Sequence, residues 1–113
     1  MKIISAKLSR EELRQMASGR FGDMVKAVVD LDRETLAIDA ELHSDLEALL
    51  LEDGASQQNL WGINLYPDAA KEDFVEFDSM INVRPSLGNR SRGVEDEEIR
   101  RKILLIVTRR IES

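Results

Sequence analysis

The chain has 113 residues, 42% of them hydrophobic and 34% charged, with 22 acids against 16 bases for a formal charge of −6, and it has no cysteine. This is an ordinary globular profile, neither disordered through low hydrophobicity nor membrane-like, and its length predicts one domain over 1–113 around one core. The missing cysteines exclude disulfides, thiol catalysis and cysteine-ligated zinc, and the acidic balance argues against general nucleic-acid binding.

The amino terminus, MKIISAKLSREEL, turns charged before any signal-peptide run develops. The longest apolar run, Ile103 to Val107, is far short of the ~20 residues that span a bilayer. A soluble, cytoplasmic protein with no membrane partner is expected. Asn89, Arg90 and Ser91 spell a glycosylation acceptor, which is a chance match without export.

In chain order, Ile3 and Ile4 suggest a short strand over Lys2 to Ala6. Ser9 with Glu12 forms a capping-box pattern ahead of Leu13 and Met16, which predicts an amphipathic helix over Arg10 to Ser18. Alternation over Met24 to Leu31 and again over Leu36 to Leu42 predicts a hairpin, although its turn lacks glycine. Ser44 with Glu47 repeats the capping box and predicts a helix over Asp45 to Asp53. Leu60 to Tyr66 alternates again, and Val75, Phe77, Ile81 and Val83 extend the pattern to a second strand. With Pro67 to Asp73 as the connection, Tyr66 falls opposite Phe74, Asn64 opposite Glu76 and Gly62 opposite Asp78. Glu95 to Glu98 followed by IRRKILLIVTRRI predicts a last helix whose terminal charges oppose its macrodipole. Its broad apolar stripe covers the sheet and leaves room for a homodimer contact.

The predicted architecture is α+β: a two-layer, mainly antiparallel sheet of about five strands packed by about three helices, the C-terminal one longest. One sheet face should be apolar and the other polar. Trp61 belongs to the apolar set, with an indole N–H that needs one partner.

Ile63, Asn64, Leu65, Tyr66 and Pro67 are echoed by Ile81, Asn82, Val83, Arg84 and Pro85, as two neighbouring strands each ending at a proline would be. The strings ELHSDLEALLLEDGASQQNLWGINLYP and INVRPSLGNRS, with FGDMVKAVVD before them, resemble a small prokaryotic family of uncharacterised proteins, a domain of unknown function. The resemblance covers most of Phe21 to Arg101. It implies one intact domain and carries over no activity, ligand or catalytic residue.

Three groups of residues have the chemistry of a site. The loop from Arg84 to Gly93 holds Arg84, Ser86, Asn89, Arg90, Ser91 and Arg92 without an acid. Its arginine forks suit carboxylate or phosphate, and Gly88 and Gly93 allow backbone N–H groups to turn inward as an anion nest. The acids at Glu72 to Asp78 and Glu95 to Glu98 flank it, so ion pairs within the chain are the competing explanation. His43, the one histidine, has acids close in sequence and the titration range of a base. It lacks HExxH spacing and a second histidine, so no metal site is expected. Asn64, Asn82, Tyr66 and Arg84 form the third group, expected on the polar sheet face, where they either read a ligand edge or simply meet solvent. Neither a Walker loop nor a Rossmann fingerprint is present, and no cofactor is expected.

These observations favour a small binding or interaction module that recognises an anionic group or an acidic partner segment through the arginine loop. The alternative is a small hydrolase or transferase with His43 as base and arginine stabilising the developing charge.

Overall fold

Residues 1–112 of the chain are described by a computed structural model. The period-two apolar pattern builds five strands, β1 (Lys2–Ile4), β2 (Val25–Asp30), β3 (Thr35–Ile38), β4 (Leu60–Leu65) and β5 (Val75–Glu76). All neighbours are antiparallel, in the order β1-β3-β2-β4-β5. Three α-helices, α1 (Arg10–Gly19), α2 (His43–Glu52) and α3 (Glu97–Arg110), complete the α+β fold, and α3 is the longest.

Local chemistry explains the boundaries. The Ser9 hydroxyl accepts the Glu12 N–H at 3.0 Å and donates to the Glu12 carboxylate at 3.1 Å, starting α1 as expected. Asp96 accepts the N–H groups of Glu98 and Ile99 and starts α3. The β2–β3 turn manages without glycine because the buried Asp30 carboxylate accepts the N–H groups of Asp32 and Arg33, while Glu34 takes a φ of 56°.

The second capping box does not form. α2 begins at His43, two residues before the predicted start, with Leu42 as its cap and Ser44 inside the first turn. Glu47 pairs with Arg84, not with the cap.

The sheet is covered on both faces. Val25, Ala27, Val29, Ile63 and Leu65 pack with Leu13 of α1 and Ile103, Ile106 and Val107 of α3. On the other face Val28, Ala37 and Leu60 pack with Leu46 and Leu50 of α2. The two-layer arrangement expected from alternation is thus extended by a third, smaller layer. The polar second face is limited to Lys26 of β2, Asn64 of β4 and Glu76 of β5, beyond that α2 cluster.

The second strand of the 60–84 hairpin is much shorter than predicted. Asn64 does pair with Glu76, and the Tyr66 N–H donates to the Phe74 carbonyl at 2.9 Å. The expected Gly62–Asp78 pair is missing, because β5 stops at Glu76 and the chain enters 3-10 turns at Met80–Asn82 and Pro85–Leu87. Among the described residues no helix is long and apolar enough to cross a membrane.

Candidate functional site

Where strand pairing stops, side chains replace it. Asn82, fully buried, accepts the Gly62 N–H at 2.8 Å through Oδ1 and donates Nδ2 to the Gly62 carbonyl at 2.9 Å and to the Arg92 carbonyl at 3.0 Å. Asn89, also buried, donates to the carbonyls of Asn82 at 2.7 Å and Gly93 at 2.8 Å and accepts the Glu95 N–H at 2.8 Å. These two amides therefore hold the Arg84–Gly93 loop from inside.

A nest forms, but not from the expected Gly88 and Gly93, whose N–H groups donate to the Pro85 carbonyl at 3.0 Å and the Ser91 hydroxyl at 3.2 Å; Arg90 and Ser91 build it, and the chain itself fills it. One Glu95 carboxylate oxygen accepts the N–H groups of Arg90 at 2.7 Å and Ser91 at 2.8 Å. These two N–H donors hold the Glu95 carboxyl below its ordinary range, since they bind the ionised form. Arg92 Nε donates to Asp78 at 2.7 Å. Arg90 forms no ion pair among the described residues and is exposed.

Arg84 is placed differently. Its side chain is 12% exposed, Nη2 donates to the Leu60 carbonyl and approaches Glu47 at 3.5 Å, and the guanidinium carbon lies 5.1 Å from the centre of the Trp61 ring. Nη1 is buried without a partner, as is the Trp61 indole nitrogen. Burial pulls the guanidinium below its ordinary pKa and Glu47 opposes that; an arginine nonetheless stays charged. Above it opens a cleft of about 470 Å³, lined by Glu47, Gln57, Gln58, Ser86 and the exposed apolar side chains of Met80, Val83 and Leu87.

The remaining candidates lie elsewhere. Asn64 is buried and donates to Glu76 at 2.9 Å and to the Asp78 carbonyl at 3.2 Å. The Tyr66 hydroxyl donates to the same Glu76 oxygen at 2.9 Å, and burial followed by this bond pushes its pKa up to about 12. His43 is buried, with Nε2 2.8 Å from the Ile63 carbonyl. A carbonyl only accepts, so Nε2 carries the proton. Burial lowers the His43 pKa, partly offset by this bond, and keeps the ring neutral. His43 does not line the Arg84 cleft.

Of the predicted set, then, the structure brings Arg84 and Ser86 into one cleft. Asn82 and Asn89 form its support, and Asn64 with Tyr66 forms a separate network around Glu76. The cleft's apolar rim and the Glu47 partner were not anticipated. Only the unneeded hydrophobicity of Met80 and Leu87 in a polar stretch hinted at the rim.

Fold and cleft define a small α+β protein with an arginine at the floor of an apolar-rimmed opening. The chain belongs to the family described as protein of unknown function (DUF5674), whose model matches residues 2–110 and so extends beyond the resemblance over Phe21 to Arg101. Searches of curated proteins and of solved structures return no match.

Proposed function

We propose that the chain is a cytoplasmic, self-associating binding module that recognises an acidic segment of a partner protein, with Arg84 as the anchor. The observation that carries this reading is the Arg84 guanidinium, 12% exposed and held by Glu47 only at 3.5 Å, in the lining of a cleft rimmed by Met80, Val83 and Leu87. Its 3.5 Å approach to Glu47 is longer than the roughly 2.7–2.9 Å of a strong charge-assisted bond, so an incoming carboxylate competes with a loosely held partner. The apolar rim would take hydrophobic side chains flanking that acid. Self-association is supported by Leu105 of α3, which is 50% exposed. The cysteine-free sequence suits a reducing compartment.

Trp61, the one tryptophan, packs under Arg84 and makes the cleft its own reporter. A peptide of alternating Leu and Glu should change its fluorescence saturably, and Arg84→Gln should weaken binding about tenfold, the loss of one charged hydrogen bond. Equal binding of a Leu and Lys peptide, or an unchanged affinity in a folded Arg84→Gln variant, would overturn the reading. Sedimentation as a strict monomer at high concentration would remove self-association alone.

A further inference from the structure

A larger groove, about 820 Å³, runs between α3 and the segment from Ala69 to Phe77 and shares no lining residue with the Arg84 cleft. Its two ends differ in chemistry. Lys7 lies beside Ile111 at the close of α3, because its neighbour Leu8 bridges that residue, and Arg10 and Lys71 add two more bases to the lining. Phe77 lies by the first half of α3, with its ring centre 5.2 Å from the Arg100 guanidinium carbon, and Val75, Leu104 and Val107 add apolar wall. Leu104 and Ile111 are separated by two turns of chain, about 10 Å.

The basic end is prepared for a negative group. The Arg10 guanidinium carbon sits over the Phe74 ring, 4.6 Å from its centre, and Nη1 donates to the Pro67 carbonyl at 2.7 Å, which holds the charge in place without an acid partner among the described residues. None of the ion pairs among the described residues involves Lys7, Arg10 or Lys71. Glu72 and Glu112 share the rim, so among the described lining residues three bases against two acids leave one surplus positive charge. That surplus complements a monoanion better than a phosphate dianion.

We propose that this groove binds a free medium-chain monocarboxylate, its carboxylate at Lys7, Arg10 and Lys71 and its hydrocarbon tail along Val107 and Leu104 to Phe77. Apolar enclosure with a few convergent polar groups is the usual build of a small-molecule site, and the groove's volume falls within the customary range of roughly 300–1,000 Å³. The inference does not rest on the Arg84 reading.

Calorimetric titration with decanoate below its micellar concentration tests it, with sedimentation run on the same samples. Saturable binding of one decanoate per chain is expected, with decanol about tenfold weaker. The Lys7→Gln, Lys71→Gln double variant, altered at two exposed side chains, should lose about tenfold for decanoate and nothing for decanol. Leu104→Glu should abolish binding of both. Absence of saturable binding, equal affinity for decanol and decanoate, or indifference to the double substitution would overturn the proposal. So would a stable dimer that takes up decanoate only after Leu104→Glu dissociates it, because a second copy would then be the occupant.

Discussion

The side-chain amide of Asn82 pairs with both backbone polar atoms of Gly62, at 2.8 and 2.9 Å, in the place where the next strand of the sheet would have put a peptide group. A carboxamide has the donor and acceptor of a peptide bond, so β4 continues its ladder while the chain itself leaves it. Asn82→Ala leaves the Gly62 N–H and carbonyl unsatisfied in a buried setting. A loss of about 3 kcal/mol is expected in chemical denaturation. Asn82→Asp keeps the acceptor, removes both donated bonds and buries a charge, so it should be no better than alanine. A loss below about 1 kcal/mol in either variant would mean that the pair contributes little.

Gly62 is required by the same approach. A Cβ there would lie 2.5 Å from the Ser79 Cβ and 3.2 Å from Ile81 Cγ1. Ser79 Cβ is fixed to the backbone, so relief needs main-chain movement. Gly62→Ala should cost about 2–3 kcal/mol, as overpacking does. Ser79→Gly in that background should recover part of the loss, although it also removes the hydroxyl that accepts the Ile81 N–H. Additive losses in the double variant would place the strain elsewhere.

The contrast between Asn64 and Asn82 shows what could be read from the chain. Strand β4 and the Asn64–Glu76 register follow from alternation and a short connection, both local properties, whereas the pairing of β4 with β2 does not. The echo INVRP looked like a second strand because Ile81 and Val83 alternate as a strand would. Its true structure depends on Asn82 finding Gly62, twenty positions earlier, which no periodicity reveals. The same holds for the nest at Arg90 and Ser91. The glycines suggested a nest in this loop, but which N–H groups built it and which acid entered depended on how Asn89 folds the loop. Ser44 and Glu47 show the opposite error, a sound capping motif overridden by the pairing of Glu47 with Arg84.

His43 should give stability a distinctive pH dependence. Its folded pKa is lowered, by burial first, with Lys26 and Arg92 adding to the effect and the Ile63 bond and Asp78 opposing it. The unfolded chain therefore binds the proton more readily. Stability is complete above the unfolded value of about 6.5 and is lost as pH falls below it towards the folded pKa. Because this is the one histidine, the loss below about pH 6.5 should disappear in His43→Gln, whose amide can still donate to Ile63. A slope in that window that survives the substitution would assign it to carboxylates.

Tyr66, also the one tyrosine, gives a signal at the other end of the scale. Its phenolate absorbance should appear with a midpoint of about 12 while the fold persists. A raised pKa contributes stability that is present below the unfolded value of about 10 and is lost as pH rises through the folded one. Glu76→Gln removes the charged acceptor and should move the midpoint down towards the ordinary value. A parent protein titrating near 10 before unfolding would show that Glu76 does not hold the hydroxyl.

Glu95 occupies the one place where the arginine loop offers convergent backbone donors, so the parent nest is closed to an external anion. Glu95→Ala opens it without disturbing the backbone bond from the Glu95 N–H to Asn89. The variant should melt lower than the parent in phosphate-free buffer. Added phosphate should then raise its midpoint more than an equal ionic strength of chloride does, because the Arg90 and Ser91 N–H groups donate to the anion in place of the carboxylate. The parent should respond to phosphate and chloride alike. Phosphate-specific stabilisation of equal size in both proteins would show that anions bind outside the nest, and the exposed Arg90 side chain would then be the group to substitute next.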